Sequence, residues 1–160
     1  MVAELRTETV YNVSPNLGGK MMKFEFECAT TGDWVVFDYP IGATYAILPT
    51  GAQSTVAYAK VDTHADTVAT TTQTTVRYDD GADATQVPET DGYIMIGTEI
   101  ISYAAGGGAT AGTFTGCSRG CFGTTAATHA ENDDIYILNT LIFAASPVGL
   151  IRGIVDVIEE

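Results

Sequence analysis

Apolar and polar residues alternate with a period of two along most of this chain, which is the signature of half-buried β-strands. In residues 20–28, Met22, Phe24, Phe26 and Cys28 fall on one face and Lys23, Glu25 and Glu27 on the other. Residues 33–38 (DWVVFD) follow a Thr-Thr-Gly turn and are expected to form a hairpin with that strand. Further strands are predicted at 44–48 and 54–59, separated by Pro49-Thr50-Gly51. The Thr-rich run 67–76 is expected to be extended, because Thr is β-branched and Val68, Val76 and Tyr78 anchor it. A loop at 79–91 then leads to a hairpin, 92–96 with 99–103, turning at Gly97-Thr98. Residues 104–112 make a glycine-rich tip, 112–116 and 134–138 are short strands, and 125–130 is expected to form one helical turn.

Beyond residue 139 the character of the chain changes. Residues 140–145 (TLIFAA) and 151–158 (IRGIVDVI) are apolar strands around Ser146-Pro147-Val148-Gly149. The second is apolar on both faces, so it belongs in the middle of a sheet and needs partners, the nearest being the N-terminal strands. The pattern therefore predicts an all-β protein with a β-sandwich or barrel-like domain and an inserted small β module. Residues 1–60 and 140–160 build the discontinuous domain, and 61–139 are the insert, entering and leaving at a surface turn.

Composition narrows the function. The 160 residues suffice for one good core or two small β modules. Charged residues are 17% of the chain, below the roughly 25% usual for soluble domains, while Thr and Ala are abundant. The net charge of −13 reflects only 7 Lys and Arg. Phosphate neutralisation needs clustered bases, so direct nucleic-acid binding is not expected. Apolar runs are short and interrupted, so no membrane span is expected, and the beginning MVAELRTETV lacks the features of a signal peptide.

Few residues suggest reaction chemistry. The histidines are His64 and His129, and a Cys121–His129 nucleophilic pair would need an electropositive setting that this acidic chain does not provide. Asp79, Asp80 and Asp83, or Glu131, Asp133 and Asp134, carry oxygen ligands suited to a hard cation, but solvated loops account for them better. Trp34, Tyr39, Tyr45 and Tyr58 are expected as core aromatics rather than a sugar platform. Gly106-Gly107-Gly108 lacks the Lys-Ser/Thr and helix of a phosphate loop. No catalytic residue, cofactor or metal site is expected. Cys28, Cys117 and Cys121 are an odd number, which leaves open reduced thiols filling apolar holes or a disulfide, internal or between subunits.

One stretch is far more particular than the rest. It comprises Gly92-Tyr93-Ile94-Met95-Ile96-Gly97-Thr98-Glu99-Ile100-Ile101-Ser102-Tyr103 and then Thr115-Gly116-Cys117-Ser118-Arg119-Gly120-Cys121-Phe122-Gly123-Thr124-Thr125-Ala126-Ala127-Thr128-His129. With its flanks, residues 67–138, it resembles a small β module of structural proteins in tailed bacteriophages and archaeal tailed viruses. Such modules occur in head, tail and baseplate components. The surrounding domain resembles head-decoration proteins more weakly.

The resemblance implies a virion structural protein, not an enzyme. The leading expectation is a head decoration or cement protein that binds the major capsid protein and copies of itself, as a trimer, on the particle surface. A tail, neck or baseplate component and a receptor- or glycan-binding module are the alternatives. Within the stretch, Gly116, Gly120 and Gly123 permit backbone conformations closed to other residues. The guanidinium of Arg119 can satisfy several loop carbonyls. Glu99, the one acid in its hairpin, is its expected partner, and His129 is expected to close the segment by hydrogen bonding. These three are expected to be structural staples.

Overall fold

A computed structural model describes residues 5–12, 20–28, 34–47, 53–55, 57–63, 68–79, 87–106, 111–142 and 148–159. Among the described residues the protein is all-β, with two antiparallel sheets and no helix. Its strands are β1 (Leu5–Asn12), β2 (Lys20–Cys28), β3 (Trp34–Val36), β4 (Ile41–Ile47), β5 (Gln53–Thr55), β6 (Ala57–Thr63), β7 (Thr75–Asp79), β8 (Thr90–Ile96), β9 (Glu99–Ala105), β10 (Gly112–Thr115), β11 (Asp134–Ile142) and β12 (Gly149–Val157). The chain divides into two compact units, residues 1–57 with 141–159 and residues 58–140. The boundaries expected from the strand pattern fell at 60/61 and 139/140.

The discontinuous unit is built on a five-stranded sheet in the order β1-β2-β12-β4-β5. Strand β12 lies between β2 and β4, with Ile151 opposite Phe26 and Ile154 opposite Tyr45. The alternation seen in the sequence places Met22, Phe24 and Cys28 of β2 and Ile151 and Val155 of β12 in the core, with Lys23, Glu27 and Arg152 outside. Phe37 meets Phe24 edge to face at 5.6 Å and 78°. The hairpin expected between residues 20–28 and 33–38 does not form. Both edges of β2 are taken, one by β1 and one by β12, so β3 has no access to it.

The inserted unit is a closed barrel. Its strands follow the order β11-β6-β7-β10-β9-β8, and β8 pairs again with β11, matching Ile94 to Ile137 and Ile96 to Ile135. Closure removes the sheet edges that would otherwise be open to pairing. The entering strand β6 and the leaving strand β11 are neighbours in this ladder, which brings the two ends of the insert together. Inside, Phe114 is sandwiched between Tyr78 and Tyr103, each ring 4.4 Å away. Val76, Ile94, Ile96, Ile101, Ile135 and Ile137 surround them, all buried. The buried phenols are satisfied: Tyr78 donates to Gly106 O at 2.9 Å and Tyr103 to Pro88 O at 2.8 Å. The ring of Tyr103 lies across its cross-strand partner Gly92, where a Cβ would collide with it.

Three local expectations are corrected. The Thr-rich run is not one strand: Val68 makes an isolated bridge to His129, residues 71–72 turn, and β7 begins only at Thr75. Residues 125–130 form no helical turn, because their backbone groups are engaged elsewhere in the module. Residues 140–142 continue β11 rather than starting a new strand. The residues 64–67, 80–86 and 107–110, which include His64, Asp80, Asp83 and most of the glycine tip, lie outside the described residues.

Candidate functional site

The chain leaving β10 does not depart from the barrel. Cys117 N–H donates to Thr74 O (2.9 Å), Ser118 and Ser102 exchange two backbone bonds, and Cys121 N–H donates to Ile100 O (2.8 Å). Residues 117–121 thus run antiparallel beside β9. Gly116, Gly120 and Gly123 have φ of 65°, 63° and 73°. At Gly120 a side chain would also press on Thr124 O and Ala126 N, both 3.0 Å from an added Cβ. This close path is what brings Arg119 to Glu99.

Glu99, at the start of β9, is the centre of the arrangement, with 1% of its side chain exposed. Arg119 forks onto it, Nε to Oε1 at 2.7 Å and Nη2 to Oε2 at 2.8 Å. Gly120 N–H donates to Oε1 at 3.0 Å and Ala127 N–H to Oε2 at 3.0 Å. His129 Nε2 lies 2.7 Å from Oε2. Arg119 spends its remaining donors on main-chain carbonyls: Nη1 on Thr70 (2.9 Å) and Gln73 (3.4 Å), Nη2 on Ala127 (2.5 Å). The structure therefore brings Arg119, Glu99 and His129 together and ties residues 70–73, 99 and 119–129 into one clasp.

The electrostatics follow from the geometry. Burial alone pushes a carboxyl's pKa up. Here it is outweighed by the hydrogen bonds from Arg119, Ala127 N–H and His129 and by the charge of Arg119, which hold Glu99 down at about 2. An ionised carboxylate only accepts, so His129 must carry its proton on Nε2. With five donors on its two oxygens, Glu99 has its acceptor capacity filled by the module itself.

Some partners in the clasp had no sequence signal. Gln73 closes the turn before β7, taking Ala69 N–H on Oε1 (3.1 Å) and donating Nε2 to Thr75 O (2.7 Å). Thr124 Oγ1 accepts from Ile100 N–H (3.0 Å) and donates to Cys121 O (2.7 Å). Both are uncharged polar side chains in loops, where the periodicity that identifies strands is absent.

The other candidates are placed apart. Cys28, Cys117 and Cys121 are not bonded to one another within the chain, and Cys28 and Cys117 are buried whereas Cys121 is half-buried. Cys117 packs into the barrel with Sγ 3.6 Å from Phe114 O, and burial pushes its thiol up to about 11. Cys121 directs Sγ to Ser118 O (3.2 Å) and Ser102 Oγ (3.7 Å), while His129 gives Nε2 to Glu99, so the two do not form a nucleophile–base pair. Trp34 and Tyr39 are half-buried, and Tyr39 donates to Met22 Sδ. The side chains of Tyr45 and Tyr58 lie outside the described residues. Asp133 Oδ2 caps a turn by accepting Ala130 N–H (2.8 Å), and among the described residues no three acid, His or Cys side chains are grouped to hold a metal. No family model matches the chain, and no curated protein or solved structure shows significant similarity to it.

Proposed function

We propose that the protein is a structural subunit of a tailed-virus particle, most economically a head decoration or cement protein, and not an enzyme. The observation that carries this reading is the clasp. The most particular residues of the stretch that resembles virion modules, Glu99, Arg119, Gly120 and His129, direct their polar atoms at one another and at their own backbone. Such a constellation supports rigidity rather than turnover. Catalytic groups need acceptors and donors aimed at a substrate.

Cementing acts through surface burial repeated over many copies, so each copy needs only a modest interface. The discontinuous unit supplies the contact with the major capsid protein and with copies of itself in a trimer, and the barrel module carries the outward surface. Quantifying the chain against the major shell protein in purified particles tests the proposal. A stoichiometry comparable to that of the shell protein is expected. A handful of copies per particle would move the protein to the neck, tail or baseplate, and absence from particles would overturn the proposal.

A further inference from the structure

The outer surface of the barrel module holds a feature that the clasp does not use. Along β8, Gly92, Ile94 and Ile96 are buried whereas Tyr93 and Met95 are half-buried, so Tyr93 and Met95 share the outer face, with exposed Asp91 just before them. On β11, Tyr136 lies directly opposite Met95 and alternates with buried Ile135 and Ile137, which puts Asp134 and Tyr136 on that same face. Phe122 completes the group, its ring 5.7 Å from that of Tyr93 and inclined at 68°. Tyr93 and Phe122 thus form a corner, with Ser102 opposite Tyr93 on β9 and Cys121 reaching Ser102 from the neighbouring loop. Tyr136 OH donates to Asp134 Oδ2 at 3.3 Å.

The backbone at Phe122 is an independent observation. Phe122 and Gly123 have φ of 55° and 73°, and Thr124 N–H donates to Cys121 O at 3.1 Å across them. This is the positive-φ pair of a type I′ turn, whose first central position favours Asn, Asp or Gly. A bulky aromatic residue is strained there, and such strain concentrates at ligand-binding positions. Gly at 122 would relieve it. The ring is nevertheless kept at the tip of the turn, half-buried against a second half-buried ring.

We propose that Phe122, Tyr93, Met95 and Tyr136 form a platform for neutral sugar rings of a glycan. A pyranose has an apolar C–H face that stacks on an aromatic ring and a rim of hydroxyls that seeks hydrogen-bonding groups. The aromatic corner offers the first and Ser102, Tyr136 and Asp134 offer the second, the usual division of a carbohydrate-sized site into apolar walls and a few polar groups. The charges on this face, Asp91 and Asp134, flank the strip at its two strands and repel anionic sugars, so the class selected is neutral. This inference does not rest on the decoration reading, since a virion protein at any position could carry it.

The test uses the full chain, titrated with neutral oligosaccharides of glucose, mannose and galactose, an anionic sialic acid oligomer and a proline-rich peptide, followed by amide chemical shifts. A neutral oligosaccharide is expected to shift Tyr93, Gly123 and Tyr136. Phe122→Gly and Tyr93→Ala should each weaken that binding ~tenfold or more, while the melting temperature of Phe122→Gly equals or exceeds that of the parent. Absence of shifts with every neutral sugar overturns the proposal, as does binding of only the anionic oligomer or the peptide at this face. A clear drop in melting temperature for Phe122→Gly also overturns it, since the ring would then be kept for packing.

Discussion

Two arginine–glutamate pairs, one in each unit, show how much the surroundings decide. In the discontinuous unit Arg152 Nε meets Glu25 Oε2 at 2.9 Å across neighbouring strands, with 65% and 34% of the side chains exposed. In the barrel Arg119 Nε meets Glu99 Oε1 at 2.7 Å with 6% and 1% exposed. The first pair decorates a ladder already held by nine consecutive β12–β2 residue pairs and an apolar face. Solvent screens it, and pairs of this kind contribute roughly 0–1 kcal/mol. The second supplements a much shorter ladder: together with the few backbone bonds of Cys117, Ser118 and Cys121, it fastens residues 117–129, which lack regular structure apart from single bridges, to β9 and to residues 70–73. Regular strands are stabilised by repetition, whereas an irregular segment depends on a few saturated polar groups.

This contrast can be broken most forcefully at Arg119. Arg119→Ala strands a buried carboxylate and three carbonyls, and is expected to lower stability by about 3–5 kcal/mol. Hydrogen exchange should show the loss at β8 and β9 while β2 and β12 keep their protection. Unchanged thermal stability would remove the clasp's structural role. Acid comes next. Glu99 ionises at about 2 in the folded protein against an ordinary 4.5, so the unfolded chain binds the extra proton as pH falls between these values. The stabilisation is complete above about pH 5 and fades toward pH 2, amounting to roughly 3 kcal/mol. Denaturant titrations of the parent and of Glu99→Gln should converge by that amount over this range, and parallel curves would contradict it.

Arg119→Lys sharpens the comparison, because it keeps the charge but loses the fork. A loss of about 1–2 kcal/mol is expected in chemical denaturation, smaller than for Ala. The smallest effect belongs to the exposed pair: Arg152→Ala should change stability by no more than about 0.5 kcal/mol and become neutral in high salt. An effect as large as that at Arg119 would erase the distinction between the two pairs.

The legible parts of the fold are those where a side chain's neighbours are local or periodic. The β8–β9 hairpin was readable because alternation runs to both sides of Gly97-Thr98. The central position of β12 was readable because its apolar residues occupy both faces. Glu99 stood out as a single acid in an apolar hairpin, and Arg119 as a single base among glycines. The misjudged segments are those whose backbone is used by something distant. Residues 125–130 have helix-favouring alanines, yet Ala127 gives its N–H to Glu99 and its carbonyl to Arg119, and His129 pairs with Val68. The 20–28 and 33–38 strands are adjacent in sequence, yet β12 arrives from the far end of the chain to occupy the edge.

The sequence by itself determined the all-β class, the faces of the strands and the chemical character of the clasp, since these follow from period-two patterning and from the scarcity of charge within one stretch. Only the tertiary structure decided that the inserted strands close into a barrel through β8 and β11, that five donors converge on Glu99, and that Phe122 stands strained beside Tyr93 on the outside. The physical reason is the same in each case. Alternation specifies which way a side chain points, while strand partners and the convergence of loop atoms depend on contacts between residues that no local pattern relates.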